Sequence, residues 1–208
     1  HVKGIIEDSK LIKRTERLIL RPVEISDYSL WRESSLERLP KQNEFDKGPP
    51  AEKTLTKQFL KKWISGNKKA RQKDLLYTFG IFDKKSKKYM GLVNFCVISR
   101  LSYQFANMGY ELHNQYWGQG YGTEAVHGGI ELAFKKLKIH RVEAGIESHN
   151  KASIRLCEKL KMRKEGIREK YFFNGKEWID LVYFSMTAED IGLKRTKPTI
   201  TTSLNDLI

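Results

Sequence analysis

The residues best suited to chemistry lie in one run, Trp117-Gly118-Gln119-Gly120-Tyr121-Gly122-Thr123-Glu124. Alternating residues from Asn107 to Leu112 precede it and a helical pattern follows, so the run reads as a loop that opens a helix. Such a loop offers unpaired backbone N–H groups and the positive end of a helix dipole, a seat for a phosphorylated ligand. Two common phosphate loops are excluded by spacing. A triphosphate-binding loop needs lysine after its last glycine, and Thr123 stands there. A dinucleotide fingerprint needs G-x-G-x-x-G, whereas Gly118, Gly120 and Gly122 are spaced two apart. A plain tight turn is the alternative that context must decide.

Carboxylates are the next candidates. Glu111 shares a strand face with Asn107, and Glu143 and Glu147 share a face on a later strand. Of these, Glu147 and Glu111 can serve as a proton acceptor or stand as exposed strand residues. The five histidines, His1, His113, His127, His140 and His149, show no metal-ligand spacing. Cys96 and Cys157 make neither a disulfide framework nor a zinc cluster, and reduced thiols suit a cytoplasmic location. Cys157 reads as helix core rather than as a nucleophile.

These groups need a scaffold. Residues 17–23 alternate as a strand. Ser26 and Asp27 mark a helix start with apolar positions up to Pro40. A loop over 41–50 is followed by a helix burying Leu55, Phe59, Leu60, Trp63 and Ile64. Strands are predicted over 75–82, 89–98 and 103–112, with a turn from Asp83 to Lys88. A long helix starts near Gly120, a strand covers 139–148, and Asn150 caps a helix running to about Lys161. Two strands, 164–173 and 177–187, flank the turn signal Asn174-Gly175. The order β-α-α-β-β-β-α-β-α-β-β predicts a mixed α/β fold, a mostly antiparallel mixed sheet of about seven strands with helices on both faces. The domain boundaries expected are an N-terminal extension over 1–16, a single domain over 17–187 and a C-terminal tail over 188–208.

The chain has 208 residues and a formal charge of +14, concentrated in Lys61-Lys62 through Lys73 and in Lys84 to Lys88. A basic surface favours anionic partners, ribosome or RNA included, although solvated charge runs are the simpler reading. No apolar run approaches the roughly 18 residues of a membrane span, so no membrane partner is expected.

Four motifs in family order resemble the GNAT superfamily of acetyl-CoA-dependent N-acetyltransferases, in its RimJ/RimL-like ribosomal-protein branch. Trp117 to Gly122 is similar to that family's pyrophosphate loop, [RQ]-x-x-G-x-[GA], with Trp117 in place of Arg or Gln. Asn150-Lys151-Ala152-Ser153 and the following Glu158 to Met162 resemble N-x-x-S-x-x-x-x-E-K-x-G-[FM], with Lys161 where glycine is usual. Phe172-Phe173-Asn174-Gly175 with Asp180 resembles its C-terminal hairpin, and Arg17 to Pro22 its opening.

The resemblance implies a GNAT fold with a strand splay beside the glycine loop. It implies acetyl-CoA as co-substrate, held by Trp117, Gly118, Gln119, Gly120, Tyr121, Gly122 and Thr123. A backbone N–H near Leu112 would polarise the thioester, and Asn150 would touch the cofactor arm. Ser153 would serve the departing thiolate, because Cys157 occupies the place where many N-terminal acetyltransferases carry tyrosine. Relatives often carry glutamate where Asn107 stands, which leaves Glu147 and Glu111 as base candidates. The acceptor implied is a primary amine, foremost a protein N-terminus. A small-molecule amine acetyltransferase and a non-catalytic RNA- or ribosome-binding module are the competing readings. Monomer and homodimer both fit.

Overall fold

The computed structural model describes residues 7–194; His1 and residues 195–208 of the expected tail lie outside the described residues. Eight strands join in the order β1-β2-β3-β4-β5-β6-β8-β7. They are β1 (Lys13–Arg14), β2 (Leu18–Arg21), β3 (Leu76–Asp83), β4 (Tyr89–Ser99), β5 (Phe105–Leu112), β6 (Arg141–Glu147), β7 (Arg163–Phe173) and β8 (Trp178–Thr187). Four helices accompany them: α1 (Tyr28–Leu36), α2 (Lys57–Gln72), α3 (Tyr121–Lys135) and α4 (Lys151–Lys159). The eighth strand is β1, inside the expected extension. Two adjacent cationic residues carry no alternating pattern, so only its pairing of Lys13 with Leu20 and Arg14 with Ile19 reveals it.

The chain divides into two compact units, His1–Phe95 with Gly109–Leu132, and Cys96–Met108 with Ala133–Ile208. In the first, β2 pairs antiparallel with β3 from Leu18–Asp83 to Arg21–Gly80. Strand alternation then supplies two apolar faces. On one, Val23, Leu60, Phe82 and Tyr89 form a core with Ile19, Trp31, Trp63 and Ile64, which seats α1 and α2. On the other, Leu20 and Phe95 approach α3 where Gly128 and Gly129 leave no side chain in the way.

Local chemistry sets the helix ends. The Thr56 hydroxyl accepts the Phe59 N–H at 3.0 Å and starts α2. Phe59 is half exposed and stacks on Trp31 at 6.1 Å rather than entering the core. Before α1, Glu24 and Asp27 form a reciprocal cap around a 3-10 turn that takes in Ser26; Asp27 is the N-cap of the helix, which ends at Leu36. Arg71 of the basic run on α2 is buried and paired with Asp8 at 2.7 Å, so that run is not wholly a solvated face.

In the second unit, β6 pairs parallel with β5 through Phe105–Arg141, Ala106–Val142 and Asn107–Glu143, and antiparallel with β8 along its whole length. β7 and β8 form the expected hairpin. The Asn174 side chain accepts the Lys176 and Glu177 N–H groups at 2.9 and 3.0 Å, and Gly175 takes φ +96°.

α4 ends in a two-bond C-terminal motif. The Lys161 N–H donates to Glu158 C=O at 2.9 Å and the Met162 N–H to Cys157 C=O at 3.0 Å. Lys161 is left-handed at φ +58°, which is the reason glycine is the usual residue there.

Candidate functional site

In the first unit a 3-10 turn, Asn114–Tyr116, leads from β5 into the glycine loop. Gly118 and Gly120 have φ +75° and +80°, conformations that cost little only without a side chain. The first bond of α3 runs from the Glu124 N–H to Gly120 C=O at 3.1 Å. The amides of Tyr121, Gly122 and Thr123 therefore come before any intrahelical acceptor. A Cβ on Gly118 would meet nothing within 4 Å, so the loop's outer side is open.

Arg17 braces this loop. Its Nη1 donates to Gln119 C=O at 3.0 Å, its Nε to Glu124 Oε2 at 2.7 Å, and its guanidinium lies 4.1 Å from the Tyr121 ring centre. Glu124 Oε1 also accepts from the Thr15 hydroxyl at 2.6 Å and the Arg17 N–H at 2.7 Å. Burial pushes the Glu124 carboxyl upward, but the bonds from Thr15 and Arg17 outweigh it and hold the carboxyl below its ordinary range. Glu124 thus stays ionised and neutralised by Arg17, so a carboxylate in the first turn does not cancel the positive helix end. Sequence reading passed over this partnership: Arg17 and Glu124 are 107 positions apart, and no spacing rule links them.

The end of β5 is held from three sides. The Trp117 indole N–H donates to Leu112 C=O at 2.7 Å, and the His113 N–H to Met90 C=O at 2.8 Å. Gly91, at φ +144°, lets the Glu111 carbonyl approach so closely that a Cβ there would lie 2.0 Å from it. Trp117, which departs from the expected Arg or Gln, thus ties the loop to the strand.

The Glu111 carboxylate meets Arg38 Nη1 at 2.9 Å and Lys47 Nζ at 2.5 Å. Burial raises its proton affinity, yet Lys47 and Arg38 together bring it below the usual value. Arg38 also reaches Asp46 at 3.2 Å, and both side chains are buried. Burial opposes ionisation of Asp46, but the Gly48 and Gln42 N–H groups, the Asn114 amide and Arg38 lower it to about 2. Next to this network, burial and the nearby Arg38 charge hold His113 at about 4, a neutral ring. Its Nδ1 lies 2.9 Å from Ser34 Oγ.

In the second unit, Asn150 accepts the Ser153 N–H at 3.1 Å and caps α4. Glu147 ends β6, with its Oε2 3.6 Å from His149 Nε2. Glu143 is buried between Arg141 at 2.7 Å and Arg168 at 3.2 Å, and Arg168 lies over the Tyr183 ring at 3.5 Å. Asn107 Oδ1 is buried with no protein hydrogen-bond partner. Cys157 is buried, and burial pushes its thiol up to about 12, which disfavours the thiolate that a nucleophile needs. Among the described residues no three His, Cys, Asp or Glu side chains gather as a metal site, and no helix is long and apolar enough to cross a membrane.

Glu111, Leu112 and Trp117 to Thr123 are therefore brought together in the first unit, and Glu147, Asn150 and Ser153 in the second.

The eight-stranded mixed sheet with a helix opening from a glycine loop defines an α/β class of fold that solved structures share. RimJ of Mycobacterium smegmatis in complex with CoA-disulfide superposes with a TM-score of 0.68 at 20% identity, over 85% of both chains. Ribosomal-protein-S5-alanine acetyltransferase of Vibrio fischeri gives 0.65 at 24% identity, over 86% of this chain and 97% of that one.

The acetyltransferase (GNAT) domain family matches residues 17–163, and the chain belongs to it. Among curated relatives, the probable N-acetyltransferase YjcK of Bacillus subtilis (strain 168) is 38% identical over 120 residues, 58% of this chain and 66% of that protein. The [ribosomal protein uS5]-alanine N-acetyltransferase of Escherichia coli (strain K12) is 32% identical over 114 residues, 55% of this chain and 59% of that protein. The matches thus span less than two thirds of those relatives' lengths.

Proposed function

We propose that this chain transfers acetyl from acetyl-CoA directly to a primary amine, foremost the α-amine of a protein N-terminus. The observation that carries the donor half is the loop at the start of α3. Its amides of Tyr121, Gly122 and Thr123 precede the first helical bond, and its outer side is open at Gly118. A pyrophosphate suits these donors and the positive helix end. Trp117, Gln119 and Gly120 shape the loop around it. The pantetheine arm would pair with the backbone beside Leu112 as an added strand. Glycine spacing excludes the nucleotide loops, and membership of the acetyltransferase (GNAT) family supports coenzyme A as the ligand of this seat.

In the reaction the amine nitrogen forms a bond to the thioester carbonyl carbon and the carbon–sulfur bond breaks. The amine gives up one proton and the thiolate takes one. A peptide α-amine has a pKa near ~8, so a modest acceptor suffices. Glu147 is a candidate for that acceptor, with His149 close by. The Ser153 hydroxyl is proposed to hydrogen-bond the departing sulfur, and the Leu112 N–H to stabilise charge on the carbonyl oxygen. The protein-N-terminus acceptor is supported by the relatives whose names carry ribosomal-protein acetylation.

Release of free thiol from acetyl-CoA tests the reading. Peptides beginning with alanine or serine, a polyamine and an amino sugar serve as acceptors. Turnover is expected with the peptides. Turnover with the small amines alone would move the acceptor to the small-molecule class. Tight acetyl-CoA binding with no turnover on any amine would remove the N-terminal assignment, and salt-sensitive RNA binding without turnover would favour a binding module.

A further inference from the structure

Glu111 has two cationic partners of opposite character. Arg38 is fixed: its side chain is 6% exposed and its second branch is bound to Asp46, which is fully buried. Lys47 is loose: its side chain is 76% exposed, and it reaches Glu111 Oε2 from the loop that follows α1. A charge pair formed by so exposed a lysine is weak and easily exchanged. Glu111 itself is placed with precision, because the neighbouring backbone is pinned by Gly91, Met90 and Trp117. The geometry is that of a carboxylate held by one arm, with its other oxygen covered by a removable primary ammonium.

We propose that Glu111 binds the ammonium of the incoming acceptor, and that Lys47 occupies this place until a cationic amine displaces it. The inference rests on the acetyltransferase reading and adds an acceptor subsite to it. An α-amine arrives largely protonated at neutral pH, and a carboxylate that stays ionised is suited to receive it. The same property makes Glu111 poor at taking the proton away, so binding and deprotonation fall to different groups. The subsite accepts primary ammonium groups and rejects acylated ones, which carry no charge. It therefore also releases the product, since the acetylated amine has no claim on Glu111 and Lys47 returns.

The test uses a decapeptide with a free N-terminal alanine and uncharged side chains, labelled at its C-terminus, and the same peptide α-acetylated. Affinity is measured by fluorescence anisotropy with saturating coenzyme A, so that no turnover intervenes. Lys47→Met is expected to tighten the free-amine peptide roughly two- to fivefold, the range of an exposed pair, and to leave the acetylated peptide unchanged. Glu111→Gln is expected to weaken the free-amine peptide. If that variant loses its native melting transition, Lys47→Met decides alone, because Lys47 is a surface side chain.

Equal or weaker binding of the free-amine peptide by Lys47→Met overturns the proposal, as does an equal shift of both peptides. Absence of peptide binding by all three proteins overturns it as well. Coenzyme A affinity, read in a parallel titration, reports separately on the acetyltransferase reading. A protein that binds coenzyme A normally while its Lys47 variant leaves peptide affinity unmoved loses the subsite and keeps the donor site.

Discussion

Arg17 braces the loop proposed to hold the acetyl donor. It binds Gln119 C=O, bonds Glu124 and covers the Tyr121 ring. Removing it takes away a support of the loop and leaves Glu124 as an unbalanced negative charge one turn from the proposed pyrophosphate. Arg17→Met is therefore expected to raise the KM for acetyl-CoA on the order of tenfold, the scale of a charge-assisted hydrogen bond. The KM for the amine is expected to change little. Arg17→Lys keeps the charge but not the forked geometry and is expected to recover part of the loss. Steady-state kinetics with each substrate varied separately decide this. Equal loss in both KM values would point to general loosening rather than to the donor loop.

At the scale of elements, two backbone positions carry opposite expectations. Gly91 is strained for any other residue and lies against the Glu111 carbonyl. Gly91→Ala is expected to cost at least about 2 kcal/mol in urea unfolding, because neither backbone can move without disturbing β4 or β5. Lys161 is the reverse case: a side-chain residue holds the left-handed position of the α4 terminus. Lys161→Gly is expected to add about 0.5–1 kcal/mol, seen as a higher urea midpoint with unchanged slope.

The two positions also show what the sequence could tell. Lys161 stood out because the motif around Ser153 expects glycine, and the element order followed from alternation and turn signals such as Asn174-Gly175. Gly91 gave no warning, since its constraint comes from a strand partner twenty positions away. The Arg38–Glu111–Lys47 and Arg17–Glu124 pairings were hidden for the same reason: charges distant in sequence meet only after folding. The helix start marked by Ser26 and Asp27 holds at Asp27, the N-cap of α1, while Ser26 falls in a preceding 3-10 turn capped by Glu24 and Asp27. Local signals thus defined the elements, and long-range polar pairs define how they are fixed.

At the scale of the whole molecule, the buried polar groups around β5 make stability depend on acid in two steps. His113 is held at about 4 in the folded chain, below the ~6.5 of an unfolded histidine. As pH falls between those values the unfolded chain takes the proton first, so stability declines across about 6.5 to 4 and then levels off. The full shift corresponds to at most about 3.5 kcal/mol. Asp46, lowered to about 2, acts next: its contribution is present above ~3.9 and is lost as pH falls toward about 2. Glu111 and Glu124, both lowered, add to this second decline.

Urea midpoints at pH 7, 5.5 and 4 should therefore fall in the parent protein and fall less in His113→Gln, whose side chain does not titrate. Asp46→Asn should leave the first decline intact and flatten the one below pH 4. If His113→Gln keeps the parent's slope between pH 7 and 4, another group is the proton acceptor and the neutral buried ring is not what sets the acid response. The location of this response matters for function. Of the groups that titrate on unfolding, Asp46 anchors Arg38, which holds Glu111, so acid below pH 4 is expected to loosen the proposed acceptor subsite.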